Sequence, residues 1–346
     1  MSIATPQFFD SESDVPSDAI RVDALGSAIR ELFYIDNPSI AKGSPEASEA
    51  IDAYIQSRTT GRTWVYLPWS KTAILLPDEN TYFRLRTARN KDLISEKEQL
   101  QYREAVVGIA GLSVGSTALS SIVRTGGPKR IKIADHDVVE ITNLNRMNAS
   151  LRDLSMNKTQ VAAQCAWEID PFAQITQYQL GLTVEQLQEF VHGDTPLTVF
   201  VDEMDDIPLK FESRLVCKQF GVPVVMATDN GDGAIVDVER FDLERDRPIF
   251  HGRVDSSVAK SAKSRAEFIA AARAIIDPTL FSHRQAASLE QIGKTLAGVP
   301  QLGSAASIAG TAVAYAVRQI ATGAPLPSGR YIISCEQSFS SPARES

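Results

Sequence analysis

The chain has 346 residues, 43% of them hydrophobic and 23% charged, with a formal net charge of −8. That length holds one large domain or two ordinary ones, and the composition is that of an ordinary globular protein. The acidic balance argues against a surface that coats nucleic acid. No apolar run is long and charge-free enough to span a bilayer; the nearest, residues 302–321, is rich in Ala, Gly and Ser, carries Arg318 and reads as a buried helix. The N-terminal stretch has no basic segment or apolar core of a secretory signal, so a cytoplasmic location is expected. Cys165, Cys217 and Cys335 form no C-x-x-C pair, which makes disulfides and a cysteine-rich zinc site unexpected.

The first eighty residues read as a small α+β extension of unknown role. Residues 19–33 and 44–58 have helix-compatible patterns, and residues 63–77 carry two β-rich runs around Pro68-Trp69, a hairpin signal. Trp64 and Trp69 are expected in an aromatic core. Arg86 and Arg89 then occupy a basic helical stretch.

From Glu104 to Arg146 the pattern becomes specific. Residues 105–110 are a short β-branched run, followed by a small-residue turn that includes Gly111, Ser113 and Gly115. A helix extends through Arg124 to the Gly126-Gly127-Pro128 stop, residues 130–134 form the next strand, and Asp135 stands at its carboxyl end. Strand, small turn, helix, strand and acid make up the nucleotide-binding half of a doubly wound sheet. The free N–H groups of such a helix face a phosphate, and the carboxylate accepts from ribose hydroxyls. The glycine spacing departs from G-x-G-x-x-G. The predicted fold is therefore α/β: a Rossmann-like, doubly wound, mostly parallel sheet with helices on both faces, preceded by the α+β extension. His136 lies between Asp135 and Asp137, and alternation along a strand argues against the three as a metal set.

The run Asp135-His-Asp137-Val-Val-Glu-Ile-Thr-Asn143-Leu-Asn145-Arg146 resembles the D-x-D-x-V…N-L-x-R signature of the ThiF/MoeB adenylyltransferases, the ubiquitin-activating-enzyme-like superfamily. Arg86-Thr-Ala-Arg89 resembles that family's R-x-x-R helix, and the resemblance runs from about residue 86 to residue 323. It divides the chain into residues 1–80 and an adenylation domain, residues 81–346. By this resemblance Asp137 holds the ribose; Asn143, Arg146 and Lys158 hold the ATP phosphates; and Arg89 reaches the nucleotide of a partner subunit, which implies a homodimer. Lys158 opens a helix, where an unpaired cation opposes the helix dipole and a bound anion would account for it.

A strand at residues 198–201 delivers Asp202-Glu203-Met204-Asp205-Asp206 to the carboxyl edge. Asp205 aligns with the family's Mg²⁺ carboxylate, while Asp206 replaces its usual Asn; a helix N-cap, with Pro208 following, is the competing reading for either. A helix over residues 209–220, a strand over 222–226, a turn at 229–233 and a strand over 234–241 follow. Further helices are expected at 261–276, 285–297 and 303–321, with a closing strand at 331–334. His251 and His283 read as solvated loop residues. The thioester-forming relatives carry a cysteine on the crossover after these strands; residues 244–299 contain none, and Cys217 and Cys335 read as buried small hydrophobes.

The resemblance implies ATP-dependent adenylation of a carboxylate, giving an acyl-adenylate and pyrophosphate. The acyl donor would be the C-terminus of a ubiquitin-like protein or peptide, or a small-molecule acid. An NAD-dependent oxidoreductase and a catalytically degenerate nucleotide-binding scaffold subunit are the alternatives.

Overall fold

The computed structural model of the chain describes residues 4–57, 61–254 and 265–340. Two compact units emerge: Met1–Gln99 with Trp167–Phe172, and Leu100–Ala166 with Ala173–Ser346. The division drawn from the motifs falls at residue 80; the compact units divide after Gln99, so Arg86 and Arg89 belong to the first.

The first unit contains a four-stranded sheet of β1 (Gln7–Phe9), β2 (Ile20–Asp23), β3 (Arg62–Leu67) and β4 (Thr72–Pro77), in the order β1-β3-β4-β2. β3 and β4 are the expected hairpin, paired Arg62 to Pro77 through Leu67 to Thr72. The helix expected over 19–33 is instead the edge strand β2 followed by α1 (Leu25–Asp36). Ile20 and Val22 are β-branched, and pairing along β4 prevails over helix propensity there. α2 (Pro45–Ser57) and α3 (Glu79–Thr87) complete the unit, with α4 (Glu96–Glu104) leading out of it. Trp64 is buried in the small core, and Trp69 stacks on Trp167 with ring centroids 5.9 Å apart.

The second unit is a seven-stranded sheet of β5 (Val106–Ala110), β6 (Arg130–Ala134), β7 (Gln174–Tyr178), β8 (Val199–Asp202), β9 (Val224–Asp229), β10 (Gly233–Glu239) and β11 (Gly329–Ser334). Its order is β11-β10-β9-β8-β5-β6-β7. The five strands β7-β6-β5-β8-β9 are parallel, and β10 and β11 extend the sheet antiparallel. In chain order the parallel part is 3-2-1-4-5, the doubly wound arrangement whose switch point lies between β5 and β8. β5 is buried at every residue, as expected of a central strand covered on both faces.

Four helices connect the parallel strands: α5 (Val114–Arg124), α6 (Lys158–Trp167), α7 (Val184–His192) and α8 (Ile207–Phe220). The small-residue helix Gly303–Ala321 packs on α5 and against β8, β9 and β10. Small residues permit that approach: a Cβ on Gly310 would meet Thr117 Oγ1 at 2.2 Å and backbone at 2.6 Å. The helix expected over 261–276 is Arg265–Ile276, with residues 261–264 outside the described part. The one expected over 285–297 is only His283–Leu289, after which the chain runs through turns in which Gly293 takes φ +80°.

Candidate active site

The switch point is shaped by Gly111, which follows β5 at φ +86°. A Cβ there would strike the Glu203 carbonyl oxygen at 2.2 Å, so only glycine lets this turn lie against the end of β8. α5 then starts at Val114. Its N-cap residue Ser113 makes no side-chain bond to the helix; Ser113 Oγ instead accepts Arg146 Nε at 2.9 Å. The first turn of α5 thus keeps its uncapped N–H groups beside a guanidinium.

Asp135 clasps the turn. Its Oδ2 accepts Leu112 N at 2.7 Å and its Oδ1 accepts Asp137 N at 2.8 Å, in a buried setting. Asp137 is half-exposed and accepts Lys158 Nζ at 2.7 Å, while Lys158 is nearly enclosed. That bond holds the Asp137 carboxyl below the usual carboxylate range. The anion beside Lys158 at the start of α6 is Asp137, so its charge at that position is already partnered within the chain. Arg146 Nη1 donates to Thr142 O and Asn145 Oδ1, both at 3.0 Å. Burial lowers its pKa, and the charge of Asp229 opposes that shift. Asn143 is buried and serves a local purpose: its Oδ1 accepts Glu140 N at 3.0 Å, closing a capping box around Ile141–Asn143.

At β8 the acidic cluster separates by role. Asp206 caps α8, accepting Leu209 N at 3.0 Å with proline in the first turn. Asp205 is exposed and bonds to none of the described residues. Glu203 Oε1 accepts Ala227 N at 2.9 Å, and burial pushes this carboxyl up to about 8. Asp202 is fully buried and salt-bridged to Arg214 and, at 3.0 Å, to Lys210. Arg214 also donates to Glu239 at 2.6 Å and stacks 3.9 Å over Phe250. Lys210 and Arg214 lie one turn apart on α8, which is the available sign that both face the carboxylate at the strand end.

Two expectations about histidine change. His251 is not solvated. Arg247 Nη2, which only donates, meets His251 Nδ1 at 2.8 Å, and His251 Nε2 meets Asp237 Oδ1 at 2.9 Å. That arrangement places the imidazole proton on Nε2. The alternation argument at His136 also fails, because β6 ends at Ala134; ligand atoms of Asp135, His136 and Asp137 lie within 4.8 Å of one another. Both Asp135 oxygens nevertheless accept backbone N–H groups, and Asp137 accepts Lys158, so these carboxylates have partners without a metal. His283 is exposed, as expected, but it opens the helix His283–Leu289 instead of lying in a loop.

In the first unit, Arg86 pairs with Asp170 at 2.8 Å in a largely buried bridge. Arg89 is exposed in the turn Ala88–Asn90 and bonds to none of the described residues. Cys217 is fully buried, with its thiol pushed up by that burial. Cys165 donates to Asn148 O, and Cys335, expected to be buried, is half-buried where it opens the short helix Cys335–Phe339 beyond the last strand. Two neighbours of Arg146 were not anticipated from the sequence. Gln301 precedes the Gly303–Ala321 helix, and Asp229, buried at the end of β9, accepts Gln301 Nε2 at 2.9 Å. Burial raises Asp229 to about 6. No helix among the described residues is long and apolar enough to cross a membrane.

A doubly wound sheet whose switch point presents an open helix terminus beside a guanidinium is a Rossmann-like domain of the nucleotide-binding kind. The ThiF family model matches residues 86–336, and the chain belongs to the ThiF family, as its motifs implied. An uncharacterized protein of Mycobacterium tuberculosis, MT1398, is 34% identical over 274 residues, which are 78% of this chain and 37% of that protein. The ubiquitin-like modifier-activating enzyme 5 of Oryza sativa subsp. japonica is 34% identical over 107 residues, 31% of this chain and 25% of the enzyme. The chain thus spans well under half the length of these relatives. Among solved structures, E. coli TcdA, a tRNA N6-threonylcarbamoyladenosine dehydratase seen with AMP, matches with TM-score 0.50 and 19% identity over 68% of this chain and 94% of its own. E. coli MccB with MccA-N7isoASN matches with TM-score 0.50 and 15% identity, over 88% and 82%. At these identities the two structures bear on the fold alone.

Proposed function

We propose that this chain activates a carboxylate by ATP-dependent adenylation, releasing pyrophosphate. One observation carries the reading: Arg146 is held at the open N-terminus of α5, the Asp135 that clasps the same turn also binds Asp137, the partner of Lys158, and the exposed Asp205 follows the end of β8. Such a corner suits a polyphosphate, and a single unengaged carboxylate suits Mg²⁺, which keeps several waters and takes one or two protein oxygens. Arg146 and Lys158 would hold the phosphates, Asp137 the ribose and Asp205 the magnesium. When bound, the metal neutralises phosphate charge.

The protein's part is positioning and charge neutralisation. Attack by the acyl carboxylate on the α-phosphorus forms one P–O bond as the bond to pyrophosphate breaks, so no protein nucleophile is needed. Lys158 is shared with Asp137 and turns to the phosphates as they arrive, while Arg146 is already aimed at the helix terminus. The acyl donor is a small acid or the C-terminus of a peptide or ubiquitin-like protein. Arg89 acts on the nucleotide of a second subunit, in a homodimer. Carboxylate-dependent exchange of labelled pyrophosphate into ATP, over a panel of small acids and peptide C-termini, tests the reading. ATP binding without exchange for any acid would favour the nucleotide-binding scaffold.

A further inference from the structure

A continuous hydrogen-bond relay ends on Arg146. Asp229 Oδ2 accepts Gln301 Nε2 at 2.9 Å, and Gln301 O accepts Asn145 Nδ2 at 2.8 Å. Asn145 Oδ1 then accepts Arg146 Nη1 at 3.0 Å, and Arg146 Nε reaches Ser113 Oγ at 2.9 Å. The Asn145 amide is thereby fixed at both ends: its NH₂ is claimed by Gln301, so its carbonyl must face the guanidinium.

The anchor of the relay is unusual. Asp229 is 7% exposed, its Oδ1 has no hydrogen-bond partner among the described residues, and its charge is felt by Arg146 across a gap too wide for an ion pair. A buried carboxylate oxygen left unbonded is costly. What this carboxylate does engage is the Gln301 side chain, through its other oxygen. The segment bearing Gln301 is pinned to the turn after β9 elsewhere as well. Asn230 bonds Ser282 N and Leu280 O, Gly231 N meets Gln285 Oε1, and Ser304 Oγ donates to Asp232.

We propose that Gln301 and Asp229 are positioning residues for Arg146: through Asn145 they hold the guanidinium at the N-terminus of α5, ready for a phosphate. This rests on the reading of Arg146 as a phosphate-contacting group. Neither residue touches the nucleotide, and both lie outside the motifs that carry the family resemblance.

The test is ATP affinity by isothermal titration calorimetry on the full chain, with melting temperature recorded in parallel. Arg146→Ala weakens ATP binding strongly. Gln301→Ala, which keeps the main-chain acceptor but releases it from Asp229, weakens binding about threefold to tenfold, the range of one oriented hydrogen bond. Asp229→Asn retains an acceptor for Gln301 and binds ATP close to wild type, whereas Asp229→Leu behaves like Gln301→Ala. In the Arg146→Ala background, Gln301→Ala has no further effect, since its influence passes through that side chain. Equal losses in both backgrounds, or wild-type affinity in Gln301→Ala alongside a weakened Arg146→Ala, would overturn the relay. Wild-type affinity in Arg146→Ala would instead remove the phosphate role of Arg146, and the relay with it.

Discussion

Asp202 and Asp205 come from one acidic cluster, yet their surroundings give them opposite work. Asp205 is exposed and unengaged, so Asp205→Ala should leave the melting temperature unchanged while slowing pyrophosphate exchange about 10²–10³-fold. Asp202 neutralises Lys210 and Arg214 inside the protein. Removing one partner of a buried ion pair strands the other, so Asp202→Asn should cost about 3–5 kcal/mol in denaturant unfolding. Glu203 supplies a pH signature. Its folded pKa is raised to about 8, so the folded state retains a proton that the unfolded chain releases near its ordinary value of 4.5. That contribution is full below the unfolded value and is lost as pH rises toward 8. Glu203→Gln should therefore raise the melting temperature relative to wild type at pH 8, and by clearly less at pH 5, with each kcal/mol worth about 2–4 °C.

At the level of elements, what could be read in advance followed burial and local chemistry. β5, β6 and the Gly303–Ala321 helix were legible within a residue or so: β5 is an unbroken buried run, β6 is short and sits between a Gly-Gly-Pro stop and Asp135, and the helix is dominated by small residues. The site residues near β6 were legible as a motif, but their bonding was not. Asn143 and Asp135 look like ligand contacts in sequence and are occupied with backbone N–H groups in the fold. β2 was read as helix because its alternation, Ile20-Arg21-Val22-Asp23, is only four residues long and exposed throughout, too short to stand out from the helical pattern that follows. The Arg214 network and the Gln301 relay joined residues too far apart in the chain for any local pattern to record. The packing of Gly303–Ala321 on α5 is the element on which the helix terminus at the site depends. Gly310→Leu should unfold the second unit or drop its melting temperature steeply, because the added side chain meets the Thr117 backbone. Ile308→Ala, facing the apolar hollow of about 750 Å³ bounded by β10 and β11, should be far milder.

For the whole molecule, the exposed and uncommitted Arg89 sets the test of assembly. If it serves a partner's nucleotide, Arg89→Ala and Lys158→Ala, each inactive alone, should recover activity when mixed under conditions of subunit exchange, since hybrids contain one complete site. Failure to recover, with exchange verified by mass, would rule out the trans arrangement. The buried Asp202–Arg214–Glu239 network has a further consequence, one of ionic strength. Mobile ions screen charges at the surface over about 8–10 Å and do not enter a sealed interior. The half-exposed Asp137 carboxylate, and any phosphate bound beside it, stand in reach of salt, whereas the network that fixes the end of β8 lies out of its reach. Raising NaCl from about 0.05 M to about 0.5 M should loosen ATP binding severalfold, yet the stability difference between wild type and Asp202→Asn should stay constant across the same series.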